Sequence, residues 1–393
     1  MRVAGARPTI PPHRFAERID RARAACLGVG LDALLVGVGP DLDYLAGYRA
    51  MPLERLTMLV VPARGPATLV APRLELTPAR ACPAVDGGFI ELIGWEETVD
   101  PVALVIGRVA RSLDRPVDSI GRLALSDRLW AIHVVRLLDA IPSAALESAG
   151  AILGGLRSIK DADEVELLRL AAEAADRVVV QIASGRLVGR TEADVAREVR
   201  ERLLAEGHDQ AEFSIVGSGP NSASPHHEPS ERVIQAGEPI VLDIGGSLGG
   251  YCSDITRTIW VTGGDPANGP GEAFLHLFAV IQAAHARATA AVAPGVTAEA
   301  IDATARRIID AEGYGDQFIH RTGHGIGLEG HEDPYLVEGN REPVEAGMAF
   351  SIEPGIYFDG RYGARLEDIV VCGPDGPLVL NQAPLDLIVV DGV

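Results

Sequence analysis

The 393-residue sequence predicts an α+β protein in two parts, an α/β domain over residues 1–155 and a second domain over residues 156–393. Three observations lead there. Short β-rich runs alternate with helical stretches in the first part, a helix-then-histidine unit occurs twice in the second, and two hairpin-like stretches in that second part each carry a pair of carboxylates. A chain of this length ordinarily divides into domains of about 100 to 200 residues.

In the first part, residues 31–38 (LDALLVGV), 57–61 (TMLVV) and 67–71 (ATLVA) are apolar runs set off by Gly and Pro turns. Helical stretches around 14–28 and 101–113 lie between or beside them, the pattern of strands alternating with helices. No titratable residues gather there at ligand spacing, so this part reads as scaffold, partner surface or substrate gate. Residues 150–162 are the candidate boundary. Beyond it, residues 161–164 (DADE) make a capping-box-like helix start. Val165, Leu168, Ala172 and Ala175 then keep helical spacing, and Ser184 and Gly185 end the helix.

The second part contains an internal repeat. Residues 191–207 (TEADVAREVRERLLAEG) and 297–313 (TAEAIDATARRIIDAEG) have the same length, begin on a Thr suited to an N-cap, and end in Ala-Glu-Gly, where Gly takes the helix-stop conformation. Nineteen residues lead from Gly207 to His226 and eighteen from Gly313 to His331, and a hairpin follows each.

The first hairpin joins residues 239–246 (PIVLDIGG) to 250–261 (GYCSDITRTIWV). Asp243 and Asp254 lie equally far from a turn centred between Leu248 and Gly249, which sets them directly opposite unless a bulge shifts the register. In the second, 349–358 (AFSIEPGIYF) and 362–371 (YGARLEDIVV) place Glu353 and Glu367 symmetrically about Gly360. A lone acid in a strand ordinarily faces solvent, but four in two mirrored apolar hairpins require a compensating cation. Divalent ions roughly 3.5 to 4 Å apart, bridged by carboxylates, meet that need. His324, in residues 320–327 (HRTGHGIG), supplies a nitrogen ligand, and its flanking glycines allow close approach of backbone and ligand. Four oxygens and one imidazole suit Mn, Co, Fe or Zn better than Ca.

Composition removes other classes. The net charge of −20 repels a phosphate backbone and excludes nucleic acid as partner. Hydrophobic residues at 47% supply buried cores and exclude general disorder. No apolar run approaches the roughly 20 residues of a membrane span, and Pro8, Pro11 and Pro12 interrupt any secretory signal. Cys26, Cys82, Cys252 and Cys372 are widely spaced, the usage of reduced thiols in a cytoplasm.

The segments 241–246 (VLDIGG), 250–258 (GYCSDITRT), 320–332 (HRTGHGIGLEGHE), 351–357 (SIEPGIY) and 364–368 (ARLED) together resemble the ligand-bearing segments of the creatinase, prolidase and methionine aminopeptidase superfamily. The resemblance is to its metallopeptidase family M24, in particular to Xaa-Pro aminopeptidases and prolidases. Residues 218–227 (SGPNSASPHH) resemble the segment that brings a histidine near the metals. The likeness covers about 155–393, and the first part is similar to the creatinase-type N-terminal domain. It implies a pita-bread catalytic domain holding two divalent metal ions, manganese first, with Co, Zn or Fe as alternatives. Asp243 would chelate one ion, Asp254 and Glu367 would bridge both, and His324 and Glu353 would complete the second.

The implied chemistry is attack of a metal-bridging hydroxide on the scissile carbonyl, with Glu353 carrying the proton to the leaving amine. His226 and His331 would bind substrate and stabilise the tetrahedral intermediate. Arg365 resembles a family arginine near the site and is expected to bind substrate, with a salt bridge to an acidic neighbour as the alternative. Tyr357, four residues after Glu353, shares its strand face and is expected to bind substrate on the pocket, with packing as the alternative. His227 is expected in a supporting role and His320 in none. The implied substrates are short proline-containing peptides cut at the Xaa-Pro bond by an aminopeptidase or dipeptidase acting as a cytoplasmic homodimer. A hydrolase or lyase of a non-peptide small amide or osmolyte is the alternative on the same fold, and a non-catalytic binding scaffold a third.

Overall fold

The computed structural model describes residues 7–393. They form two compact units, residues 10–157 and residues 158–393, with residues 7–9 joined to the second.

In residues 10–157 the apolar runs pair into a six-stranded mixed sheet. Its order is Ile90–Trp95, Ala67–Pro72, Met58–Pro62, Ala33–Gly37, Arg122–Leu125, Ala145–Ser148. Ala33–Gly37, Met58–Pro62 and Ala67–Pro72 are buried at every position, which is why they read as continuous apolar runs and not as alternating ones. The stretches anticipated as helices are the helices Pro12–Val29 and Pro101–Leu113. The second starts where the Asp100 carboxylate accepts the Val102 N–H at 3.0 Å, and Val102, Val105, Ile106 and Val109 recur on the face buried in this unit's core.

Residues 158–393 are built as two matching halves. In the first, the helices Ala162–Ala183 and Glu192–Ala205 share a core with the strands Glu238–Leu248 and Ile255–Val261. In the second, the helices Glu272–Ala290 and Ala298–Ala311 share a core with Ala349–Ile352 and Asp368–Gly373. The repeat seen in the sequence is thus a structural one, two helices laid on a sheet, twice. Its start is marked by equivalent backbone bridges, Thr191 to Val233 and Thr297 to Pro343, and its helix ends by Gly207 and Gly313 at φ 113° and 82°. The capping box at Asp161 and Glu164 forms in full, and Ser184 closes the helix. The two Thr caps differ: Thr191 accepts the Asp194 N–H, whereas Thr297 makes no side-chain cap. These halves make up the α+β pita-bread arrangement.

The hairpins depart from expectation in one place. Glu238–Leu248 pairs with Ile255–Val261 so that Asp243 faces Thr256, and Leu248 faces Tyr251. The turn is therefore Gly249-Gly250, centred one residue later than the sequence suggests. Both glycines hold positive φ, 61° and 89°, which a two-residue hairpin turn demands and other residues resist. Asp254 stands diagonal to Asp243 on the same face, not opposite it. The second hairpin keeps the anticipated register, with Phe358 facing Tyr362, Gly355 facing Arg365 and Ile352 facing Asp368.

Lys160, the only lysine in the sequence, is buried in this unit, and its Nζ donates to Glu332 Oε1 at 2.7 Å and to the Ser158 carbonyl at 3.2 Å. Removing one member of a buried pair leaves the other charge without compensation. Lys160→Met is expected to cost about 3 to 5 kcal/mol in urea unfolding, and the double change Lys160→Met, Glu332→Leu to recover most of it. Equal losses in the single and double variants would show that the pair is not the source of the stability.

Candidate metal centre

The two hairpins and the segment between them converge on a cavity of about 430 Å³. Asp243, Asp254, His324, Glu353 and Glu367 all line it. Ligand atoms of Asp243, Asp254 and Glu367 lie within 4.8 Å of one another, as do those of His324, Glu353 and Glu367. Glu367 belongs to both groups, so the arrangement is two adjoining nests of donors with a shared carboxylate. Asp254, His324 and His331 form a third such group, which sets His331 beside the candidate ligands.

His324 is held by its strand. Gly323–Gly325 runs between Glu332–Leu336 and Ala349–Ile352, and a Cβ at Gly323 would run into the Ser351 carbonyl. The glycines beside His324 therefore serve the close approach of neighbouring strands. His324 Nδ1 faces the Gly325 carbonyl at 3.1 Å, and protonation there leaves the Nε2 lone pair aimed at Glu353 Oε1, 3.3 Å away, and Asp254 Oδ2, 3.7 Å away. Burial, then the neighbouring His331, pushes its pKa down to about 3, so the ring is neutral and able to ligate.

The carboxylates are in the opposite predicament. Burial and mutual repulsion raise Asp254 and Glu367 well above the ordinary carboxylate range, and burial pushes Glu353 up to about 7 against the pull of Arg365. Asp243 keeps an ion pair with Arg365, yet its buried Oδ1 has no hydrogen-bond donor. Repelling buried carboxylates, an unsatisfied carboxylate oxygen and a neutral imidazole with its lone pair turned inward are a donor set that fits divalent cations. Thr256 Oγ1 donates to Glu367 Oε2 at 2.6 Å and Ser351 Oγ to Glu353 Oε1 at 3.1 Å, fixing both side chains.

Arg365 is spread over four partners: Nε on Thr256 Oγ1 and one amino group on the Tyr357 hydroxyl, both at 2.9 Å, the other on Asp243, and both amino groups on the Pro225 carbonyl at 3.4 Å. Tyr357 does not line the cavity; it sits behind the wall, between Arg365 and His320 Nε2 at 2.9 Å. His320, expected to have no role, is thus part of a hydrogen-bonded chain reaching Asp243, and it lines the cavity. The cavity also takes in Phe213, Ile215, Ile319 and Arg321, none of which the sequence reading singled out. Arg321 lay in view inside the HRTGHG segment, whereas Phe213 and Ile215 carry no local signal and arrive through sheet pairing alone.

His226 is exposed into the cavity from a loop whose anchor is a residue of the repeat helix. Glu192, fully buried, accepts from Ser218 N and Oγ at 2.8 Å, Asn221 Nδ2 at 3.0 Å, His227 Nε2 at 2.8 Å, and Ser230 N and Oγ at 3.1 and 2.7 Å. His227 accordingly has the supporting place anticipated for it. Burial raises the Glu192 pKa, but the donors of Ser230, Ser218 and His227 outweigh it and bring it down to about 2. A carboxylate depressed in the folded state stabilises the fold above its unfolded pKa, near 4.5, and that contribution drains away as pH falls toward 2. Glu192→Gln is expected to lose about 3 kcal/mol at neutral pH, with the gap to the parent protein narrowing below pH 4.5 in denaturant titrations. A gap independent of pH would remove the ionised carboxylate as its cause.

The four cysteines are buried and unpaired, and no helix among the described residues is long and apolar enough to cross a membrane.

The family model for metallopeptidase family M24 matches residues 166–374, and that for the creatinase/prolidase N-terminal domain matches 18–159. The chain is 43% identical over 377 residues, 96% of each sequence, to the probable dipeptidase PepE of Mycobacterium tuberculosis. Among solved structures it is similar to dipeptidase PepE from Mycobacterium ulcerans, with a TM-score of 0.88, 44% identity and coverage of 97% of this chain and 99% of that one. It is also similar to an Xaa-Pro dipeptidase from Bacillus anthracis, with a TM-score of 0.85, 30% identity and coverage of 96% and 100%.

Proposed function

Because the chain belongs to metallopeptidase family M24 and is a peptidase, we propose that it hydrolyses the Xaa-Pro bond of short peptides at a centre of two divalent metal ions. The observation that carries the reading is the convergence of Asp243, Asp254, His324, Glu353 and Glu367 in one cavity, as two donor nests sharing Glu367. Asp243, Asp254 and Glu367 would hold one ion, and His324, Glu353 and Glu367 the other, with Asp254 reaching toward both. The bound ions supply a water-derived nucleophile at neutral pH and polarise the scissile carbonyl.

The chain's own residues do the remainder. Glu353 takes the attacking water's proton on Oε2, its Oε1 being engaged by Ser351, and delivers it to the departing proline nitrogen as the C–N bond breaks. His226 and His331 line the cavity and would donate hydrogen bonds to the scissile carbonyl as negative charge gathers on its oxygen. Arg365 holds Asp243 in place through its ion pair and is itself held by Thr256 and Tyr357. Phe213, Ile215 and Ile319 supply an apolar wall against which a pyrrolidine ring packs.

Manganese is the proposed native metal. A cytoplasmic setting is supported by the four unpaired, buried thiols. A homodimer completes the proposal, and light scattering on the purified protein tests it. The activity test is release of proline from Ala-Pro, and of the first residue from Ala-Pro-Ala, by metal-stripped protein before and after adding Mn or Co. Cleavage restored by metal is the expected result. Failure of metal-loaded protein to cleave either peptide would sink the Xaa-Pro reading and direct attention to non-peptide amides.

A further inference from the structure

The cavity contains two guanidinium groups in very different circumstances. Arg365 is buried with its donors committed to Thr256, Tyr357, Asp243 and the Pro225 carbonyl. Arg321 also lines the cavity, is only half-buried, and its guanidinium makes no hydrogen bond or ion pair with any of the described residues. It is nevertheless held. The guanidinium carbon lies 4.3 Å from the centroid of the Tyr335 ring. The backbone around it is pinned on both sides, by Arg306 donating to the His320 carbonyl at 3.0 Å and by Thr322 N and Oγ1 on Asp302 Oδ1 at 3.0 and 2.8 Å. A positioned, uncommitted fork of N–H donors beside a cluster of carboxylates is arranged to receive an anion from the substrate.

The one anion common to every peptide is its C-terminal carboxylate. In a dipeptide that carboxylate follows the scissile carbonyl after a single residue, about 3.8 Å of backbone, whereas a longer peptide puts a neutral amide there. The bound ions would offset the charges of Asp243, Asp254, Glu353 and Glu367, and Arg365 is held by Asp243, so the cation in the cavity that remains for a substrate carboxylate is Arg321. The charge of Arg321 is felt at both Glu353 and His331, which sets it within range of the groups around the scissile bond.

We propose that Arg321 is a specificity-determining residue that binds the C-terminal carboxylate of the substrate and makes the enzyme a dipeptidase. This rests on the Xaa-Pro peptidase reading above. Tyr335 orients the guanidinium by stacking beneath it, leaving the N–H edge for bidentate contact with the carboxylate.

The test compares Ala-Pro with Ala-Pro-amide as substrates of the metal-loaded enzyme, and free proline with prolinamide as ligands in calorimetry. The parent enzyme is expected to favour the free acid over the amide by about 10- to 100-fold in kcat/KM, the range of a charge-assisted hydrogen bond. Proline is expected to bind and prolinamide to bind at least about 10-fold more weakly. In Arg321→Gln the acid-to-amide ratio should fall toward one, with the loss on Ala-Pro carried chiefly by KM, and Arg321→Lys should restore part of it. Equal use of acid and amide by the parent enzyme overturns the assignment while leaving the peptidase reading intact, without needing any variant. Retention of the full ratio in Arg321→Gln overturns it as well. Absence of cleavage of both substrates is failure of the peptidase reading, and in that event equal binding, or no binding, of the two proline ligands overturns the Arg321 assignment too.

Discussion

Asp254→Asn is expected to have opposite effects on activity and on the stability of the metal-free protein. Asp254 is buried among carboxyls, and burial together with Glu367, Asp243 and Glu353 raises its pKa well above the ordinary range. Without metal, its charge is therefore a cost to the fold. An asparagine of the same shape removes that charge, and the stripped protein should gain about 1 to 3 kcal/mol, visible as a higher melting temperature in EDTA. With metal the order reverses. Loss of a ligand shared between neighbouring donor groups should weaken metal retention at least about 100-fold and peptide cleavage by more than about 1000-fold. Asp243→Asn supplies the contrast. Asp243 is ion-paired with Arg365, so its removal strands a buried guanidinium and should lower the melting temperature of the stripped protein. Elemental analysis and paired melts with and without metal measure both effects. A stripped Asp254→Asn protein less stable than its parent would mean that the carboxylate cluster is not frustrated in the way described.

The same pair of hairpins shows how far sequence reading reaches. Glu353 and Glu367 are legible as facing positions because Asp359-Gly360-Arg361 marks a turn with one sensible centre, and the strands keep one register on both sides of the interruption at Pro354. In the first hairpin Ser247-Leu248-Gly249-Gly250 offers more than one centre. Only the positive φ of both Gly249 and Gly250 decides between them, moving Asp243 from facing Asp254 to facing Thr256. The cluster survives the error because side chains alternate with period two, and a displacement of two residues in the partner keeps Asp254 on the same face. Residues reached only by tertiary packing were another matter. Glu192 looks like any acid in the first turn of a helix, and nothing in its neighbourhood reveals that Ser218, Asn221, His227 and Ser230 all point at it. The role of His320 is not legible locally, because its partner, Tyr357, lies thirty-seven residues away in the sequence.

The internal repeat explains why ligands come in symmetrical sets. Each half lays two helices on a sheet, and each repeat helix contributes one buried acid that pins a segment of the other chemistry. Glu192 holds the loop of His226, and Asp302, at 1% exposure, holds Thr322 between His320 and His324. The two acids are not equivalent by position in the repeat, since Glu192 opens its helix and Asp302 lies a turn further on. The duplicated frame therefore fixes where the centre lies, and divergence within the frame fixes what each half presents.

Glu353 is the position at which ligation and proton transfer can be separated, because it is the least enclosed of the acids. Its side chain is 14% exposed, against 9% for Asp243 and 7% for Asp254, so it is the carboxylate that reaches a substrate most directly. Its pKa, pushed up to about 7 by burial, suits a group that must both accept and release a proton near neutrality. Glu353→Gln keeps the shape and one oxygen donor while removing proton carriage. Its expected signature is a fall in kcat of about 1000- to 10,000-fold per bound metal, with KM for Ala-Pro changed less than about 5-fold. Metal content has to be measured on the same sample, since Glu353 shares a donor nest with His324 and Glu367. A deficit that vanishes when the rate is divided by bound metal would reduce Glu353 to a ligand and require another proton carrier. A deficit that persists, together with intact binding, assigns the proton to this carboxylate.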